Sequence, residues 1–320
     1  CLDLGLVGKN QTGAESMGLK MHSAVAVTTT GLPLGVLRIQ TYAPEAKTEK
    51  ADPHRPIEEK ESYRWLATCA DAGVIAEQLP HTRVVCMGDR ESDLFELFDQ
   101  RRRQRGHVDL LVRAKHDRCL QNDTQKLFAH LADGRPDGRV SLAVPRQREH
   151  VGKPSKPGRP ALPARTAEVE VRFRAVTIRA PQTPLLKDKP PLTLFAIYLR
   201  ETQPPPGATR IEWMLLTTIE VRSLKQAMRC VRWYCLRWRI EEWHRVLKGG
   251  CQILAHQNHS AEALTRTIAI DAVIAWRIML LALLGRDVPE VPCSVLFDPW
   301  ECEVLQLLAE KKTASPSGRP

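Results

Sequence analysis

The chain has 320 residues, 43% hydrophobic and 26% charged but only 5% aromatic, which supplies a sizeable core for one large or two ordinary domains and excludes wholesale disorder. There are 47 Lys and Arg against 37 Asp and Glu, and the resulting +10 at pH 7 suits a polyanionic partner, usually nucleic acid. The longest apolar run, 268–284, is broken by Asp271 and Arg277, which argues against a membrane span. No signal-peptide pattern, CxxC pair or zinc-ligand spacing accompanies the nine cysteines, so a reduced, cytoplasmic protein is expected.

Residues 20–29 and 34–41 read as two strands joined by Gly31-Leu32-Pro33, a hairpin pattern. A polar, Pro-containing loop covers 42–57. Acids at 58–62 open a helix that runs to about 79 and is stopped by Pro80, with its first turn suited to the helix dipole. The apolar run 84–87 predicts a buried strand. Ser92 or Asp93 can cap a helix over 94–103, and 108–112 is another strand. The order hairpin, helix, strand, helix, strand predicts an α/β fold with helices covering a central mixed sheet.

The texture changes at 133–165, which is rich in Gly, Pro and basic residues and reads as a loop or insertion. Segments 169–178 and 192–199 are predicted to pair as strands, making 119–205 a β-rich insertion. An apolar strand at 213–217 returns to the core pattern. Ser223 then caps one long predicted helix to about 248, closed by Gly249-Gly250. Helices follow at about 260–285 and 299–312, and the tail TASPSGRP is expected to be disordered.

The helix from 223 to 248 carries the most chemistry. With Tyr234 at zero and 100° per residue, Arg237 falls at about 300°, Glu241 at about 340° and Lys248 at about 320°. Leu236, Ile240, Trp243 and Leu247 fall between about 180° and 240° and form the packing stripe. A carboxylate among Arg237, Arg245 and Lys248 can ligate a metal while the cations hold phosphates. The same residues also read as a solvated face with an i,i+4 pair between Glu241 and Arg245. Trp233, Trp238 and Trp243 suit core or interface positions. Asp89, just after a short strand, is placed either as a metal ligand or as a turn residue or cap.

The segment YCLRWRIEEWHRVLK at 234–248 resembles the Tyr-Arg-Glu-Lys signature of bacterial insertion-sequence transposases of the DDE type. Arg237 stands three residues after Tyr234, Glu241 four further on and Lys248 seven beyond that. VVCMGDRESDLFELF at 84–98 resembles the second-Asp motif of that family. GLKMHSAVAVTTTGLPLG (18–35), EEKESYRWL (58–66) and LLVRAKH (110–116) also look like its segments, in the expected order.

The resemblance implies a ribonuclease-H-like mixed sheet with flanking helices, interrupted by the β-rich insertion. Its parts would be 1–118 as the first half of the core, 119–205 as the insertion, 206–250 as a core strand with the Glu-bearing helix, and 251–320 as C-terminal helices and tail. It implies three carboxylates holding two Mg²⁺ (or Mn²⁺) ions, with Asp89 and Glu241 as catalytic metal ligands. Tyr234, Arg237, Arg245 and Lys248 would hold DNA phosphates. Partners would be transposon-end and target DNA, with a homodimer on that DNA and no membrane. The first Asp of the family is expected upstream of Cys1, with Asp3 as a possible stand-in. Residues 1–320 are then expected not to cut DNA by themselves and to leave a gap or an exposed edge in the sheet where the hairpin at 20–42 loses a neighbour.

Overall fold

The computed structural model describes residues 4–9, 15–44, 52, 54–103, 108–121, 123–144, 146, 149, 158 and 160–314. Asp3, the tail at 315–320 and most of the basic stretch at 144–159 lie outside the described residues.

The fold is mixed α/β. In chain order the strands are β1 (Gly5–Lys9), β2 (Glu15–Gly18), β3 (Lys20–Val27), β4 (Pro33–Tyr42), β5 (Val84–Gly88), β6 (Val108–Arg113), β7 (Gly138–Val144), β8 (Arg165–Ile178), β9 (Leu192–Glu201) and β10 (Glu212–Thr217). The α-helices are α1 (Tyr63–Gln78), α2 (Phe95–Arg103), α3 (Leu127–Ala132), α4 (Leu224–Leu236), α5 (Arg239–Gly249), α6 (Ala261–Asp287) and α7 (Pro299–Ala314).

Six strands form one sheet in the order β5-β6-β10-β9-β8-β7. Only the β5/β6 pair is parallel. The runs LLV in β6, LFAIYL in β9 and MLL in β10 are continuous because both faces of this sheet are covered. Leu110, Val112, Leu194, Ala196, Met214 and Leu216 face one way, into a core shared with α1, α2 and α3. Their neighbours Leu111, Ile197, Leu199 and Leu215 face the other way, against Ala227, Cys230 and Val231 of α4. The predicted 169–178/192–199 pair is β8/β9, antiparallel over ten residue pairs. These strands of the 119–205 region continue the same sheet as β6 and β10.

The β3/β4 hairpin is hydrogen-bonded to no other strand among the described residues, contrary to its expected place in the central sheet. Side chains hold it instead. Leu37 packs into the α1 side of the core, while Met21, Val25, Val36 and Ile39 meet a third cluster built on Trp243, Leu247, Ala272, Ala275 and Met279 of α5 and α6. Trp243 Nε1 donates to Ala272 O at 3.2 Å, and Trp276 Nε1 donates to Pro33 O at 3.0 Å. β5 and β7 are the edge strands of the main sheet.

Three local expectations are corrected. The acids at 58–61 precede α1, with Ile57–Glu59 forming a 3₁₀ turn. The predicted helix 223–248 is two helices. At the joint Arg237 N–H donates to Tyr234 O (3.1 Å), Trp238 N–H to Cys235 O (3.2 Å), Ile240 N–H to Arg237 O (3.2 Å) and Glu241 N–H to Trp238 O (3.0 Å). These i→i−3 bonds tighten the turn and shift the phase of the polar face. The tip of the hairpin lies against the joint. Gly31 has φ +92°, and a Cβ there would meet Arg239 and Leu236. After α5 the left-handed residue is Gln252 (φ 53°), while Gly250 keeps right-handed helical angles.

α6 has the length and apolarity to cross a membrane, with mean hydropathy 2.1 over its most apolar window, the only such helix among the described residues. It nevertheless packs against α5 and β4, and its Asp271 carboxylate pairs with His256.

Candidate active site

β5 delivers Asp89 to the sheet edge. A Cβ at Gly88 would collide with Ser92 Oγ, so the turn needs glycine there. Asp89 caps the 3₁₀ turn Arg90–Ser92, with Oδ1 accepting from Glu91 N–H at 2.9 Å and its carbonyl accepting from Ser92 Oγ at 2.7 Å. The cap role is thus realised, and it leaves Oδ2 outside these contacts. Glu91 in turn accepts from Arg64 of α1 at 2.9 Å. Four residues on, Asp93 is fully buried. It accepts from Lys115 N–H, His116 N–H and Arg118, which ties this turn to the end of β6.

α4 and α5 deliver the second group. Arg237 donates to Glu241 Oε1 at 2.9 Å, so the helical partner of Glu241 is Arg237 and not Arg245. The Arg237 guanidinium lies 5.9 Å from both the Tyr234 and Trp238 ring centroids. Burial pulls the Arg237 pKa down, but the Glu241 bond and the charges of Tyr234, Glu241 and Asp89 outweigh it and leave it raised. Tyr234 is buried, with its ring edge-on to Trp213 at 5.5 Å, and burial raises its pKa against Arg237 and Arg113. Asp89 acts electrostatically on Tyr234, Arg237, Arg113 and His22. The strand-end motif and the helical motif, about 150 residues apart in sequence, therefore lie within electrostatic range of each other, Asp89 being the weakest of the charges felt by Arg237.

Glu241, Arg245 and Lys248 line a single open cleft of about 560 Å³ together with His244 and Gly249. Arg245 and Lys248 are exposed, and Glu241 is half-buried. Of the three tryptophans, Trp243 is core, Trp233 packs at the edge of the α4 core and Trp238 is exposed.

Sequence reasoning missed two groups at this place. Arg113, at the end of β6, lies over the Trp213 ring at 5.9 Å, and its pKa is lowered by burial and by Arg90. Its position at the end of an apolar strand, like that of Asp89, was the available signal. His244 falls one step outside the polar sector of Glu241. Its Nε2 lies 3.0 Å from Ser23 Oγ, which connects α5 to β3, and burial lowers its pKa.

No family model matches this sequence.

Carboxylate oxygens are the ligands that Mg²⁺ and Mn²⁺ prefer, and Asp89 and Glu241 fit that donor type. Among the described residues there is no cluster of three or more His, Cys, Asp or Glu side chains placed around a metal position.

Proposed function

We infer that this chain carries the catalytic centre of a DDE-type DNA transposase, cleaving and joining strands at insertion-sequence ends on a ribonuclease-H-like core. The observation that carries the reading is the helical constellation, in which Arg237 bonds Glu241 and lies by the Tyr234 ring, with Asp89 near enough to add to the charge that Arg237 feels. The parallel β5/β6 pair ending at Asp89, and a Glu-bearing helix beyond β10, suit that core.

In this reading Asp89 and Glu241 hold Mg²⁺ or Mn²⁺, which when bound supplies the charge that activates a water or 3′-hydroxyl and stabilises the leaving oxygen. Arg245 and Lys248, exposed beside Glu241, grip the phosphates flanking the cut. Arg237 orients Glu241 and, with Arg113, adds positive potential beneath the scissile phosphate. Tyr234 supports Arg237 through its ring. The partners are element-end and target DNA, bound as a homodimer in the bacterial cytoplasm.

The test is substitution in the complete protein. Asp89→Asn and Glu241→Gln should each abolish Mg²⁺- or Mn²⁺-dependent strand cleavage while end binding survives. Loss of folding and binding together would reduce Glu241 to a helix-surface ion pair. DNA affinity should also fall by orders of magnitude as salt rises from about 50 to about 200 mM if six or more phosphates are contacted. A flat salt response in a binding assay would remove the polyanion from the reading.

A second reading, phosphate binding without cleavage, is favoured by the presence of only two suitable acids among the described residues. It predicts the same salt response but no cleavage in Mg²⁺ or Mn²⁺, with or without sequence upstream of Cys1. A metal-dependent nuclease on the same core would cleave without joining strands.

A further inference from the structure

Near the C-terminus two thiols face each other. Cys293 opens the 3₁₀ turn Cys293–Val295, and Cys302 lies in the first turns of α7, with 3.2 Å between their sulfurs. Cys293 is exposed and Cys302 half-buried, so a small reagent can reach the pair. Cys69 and Cys230 are buried in the core.

The backbone already brings the two together. Phe297 N–H donates to Cys293 O at 2.9 Å, Cys302 N–H donates to Asp298 O at 3.0 Å, and Asp298 N–H donates to the Glu301 carboxylate at 2.9 Å. The Arg277–Glu301 contact is long, at 3.8 Å, and none of the helix's described side chains is buried.

We propose that Cys293 and Cys302 are a dithiol modification site that closes to an intrachain disulfide by exchange with a small-molecule disulfide of the glutathione type. The Cys293 thiolate attacks one sulfur of that disulfide, forming a mixed disulfide and releasing the first small thiol. Cys302 gives up its proton and attacks the Cys293 sulfur, forming the Cys293–Cys302 bond and releasing the second small thiol. The two protein thiols are oxidised by two electrons, and the small disulfide is reduced to two thiols. The sulfur of Cys293 beside it raises the Cys302 pKa, which suits Cys302 to the second, resolving step. The bond ties the first turn of α7 to the turn before it, a covalent anchor for a helix that packing scarcely holds.

The test uses the whole chain treated with oxidised glutathione. Both cysteines fall in one tryptic peptide, 287–311, so closure reads as loss of two hydrogens from that peptide with no glutathione retained. Cys302→Ser should instead keep glutathione on Cys293, because the resolving thiol is gone. In the oxidised wild type α7 should resist limited proteolysis longer than in the reduced protein or in Cys293→Ser. A wild-type peptide that retains glutathione, pairs with a different cysteine or stays reduced while exposed Cys119 reacts would overturn the proposal. Equal proteolysis of the oxidised and reduced chains would overturn the anchoring role.

Discussion

The strands β6, β9 and β10 and the helix α7 carry comparable apolar runs, LLV, LFAIYL and MLL against VLQLL, yet Leu199 and Leu215 are fully buried while Leu307 and Leu308 are 60% and 55% exposed. α6 lies between these extremes. Its Ala272, Ala275 and Met279 are buried against α5 and the hairpin, whereas Ile270, Val273, Ile274 and Ile278 on the opposite side are exposed. Apolarity measures how much a segment gains from losing water, but a partner surface must exist before that gain is realised. The sheet has helices on both faces, so the apolar runs of its central strands find one on either side. α7 buries none of its described side chains.

The sharpest way to break this comparison is a matched pair of truncations. Leu199→Ala should destabilise by about 3–4 kcal/mol through lost burial and a residual cavity, whereas Leu307→Ala should stay within about 0.5 kcal/mol. Urea denaturation of both variants measures the difference. Similar costs would mean that α7 is packed in solution.

The hairpin offers an intermediate case, because it is held by side chains and not by a strand ladder. His22 of β3 is buried, lies 3.2 Å from Thr68 Oγ1 and packs edge-on against Trp65. Burial first, then Arg64 and Arg38, push its pKa down to about 4 against the nearby charge of Asp89. In the unfolded chain it titrates near the ordinary histidine value of 6.5. Between those two values the unfolded state binds a proton that the folded state refuses. This contribution to stability is therefore complete above pH 6.5 and is lost as pH falls towards 4, by at most about 3 kcal/mol. Denaturation curves across that range should show the slope, and His22→Gln should flatten it.

The smallest effect expected is at a helix start. Ser260 Oγ accepts from Ala263 N–H at 3.1 Å and caps α6. Ser260→Ala should cost about 1 kcal/mol, read as a small shift in the thermal midpoint. A much larger loss would mean that the start of α6 anchors more of the third cluster than its exposed cap suggests.

Local patterns revealed much of the fold. β5, β6, β8, β9 and β10 follow from short apolar runs bounded by turn residues, and the β3/β4 hairpin follows from Gly31 and Pro33. Ser223 is a cap as expected, its Oγ accepting from Gln226 N–H. β7 was hidden because it is an edge strand with no fully buried residue, inside a stretch dense in Gly, Pro and Arg. At the candidate site, Asp89, Glu241, Arg237, Arg245 and Lys248 were legible as polar residues breaking apolar patterns. Arg113 was marked only by its place at the end of an apolar strand, which it shares with Asp89, and nothing local separates His244, a histidine on a helix, from its neighbours.

The sequence by itself determined where most of the strands of the main sheet and the helices form and that Ser223 caps α4, since these depend on contacts within a few residues. Only the tertiary structure decided that the hairpin stands apart from the main sheet, that strands from 119–205 complete that sheet, and that the helix at 223–248 breaks at Arg237 where the tip at Gly31 abuts it. It also decided that the charge of Asp89 is felt at the guanidinium paired to Glu241. These outcomes depend on which distant surfaces come together, and side-chain packing settles that after the local elements are already formed.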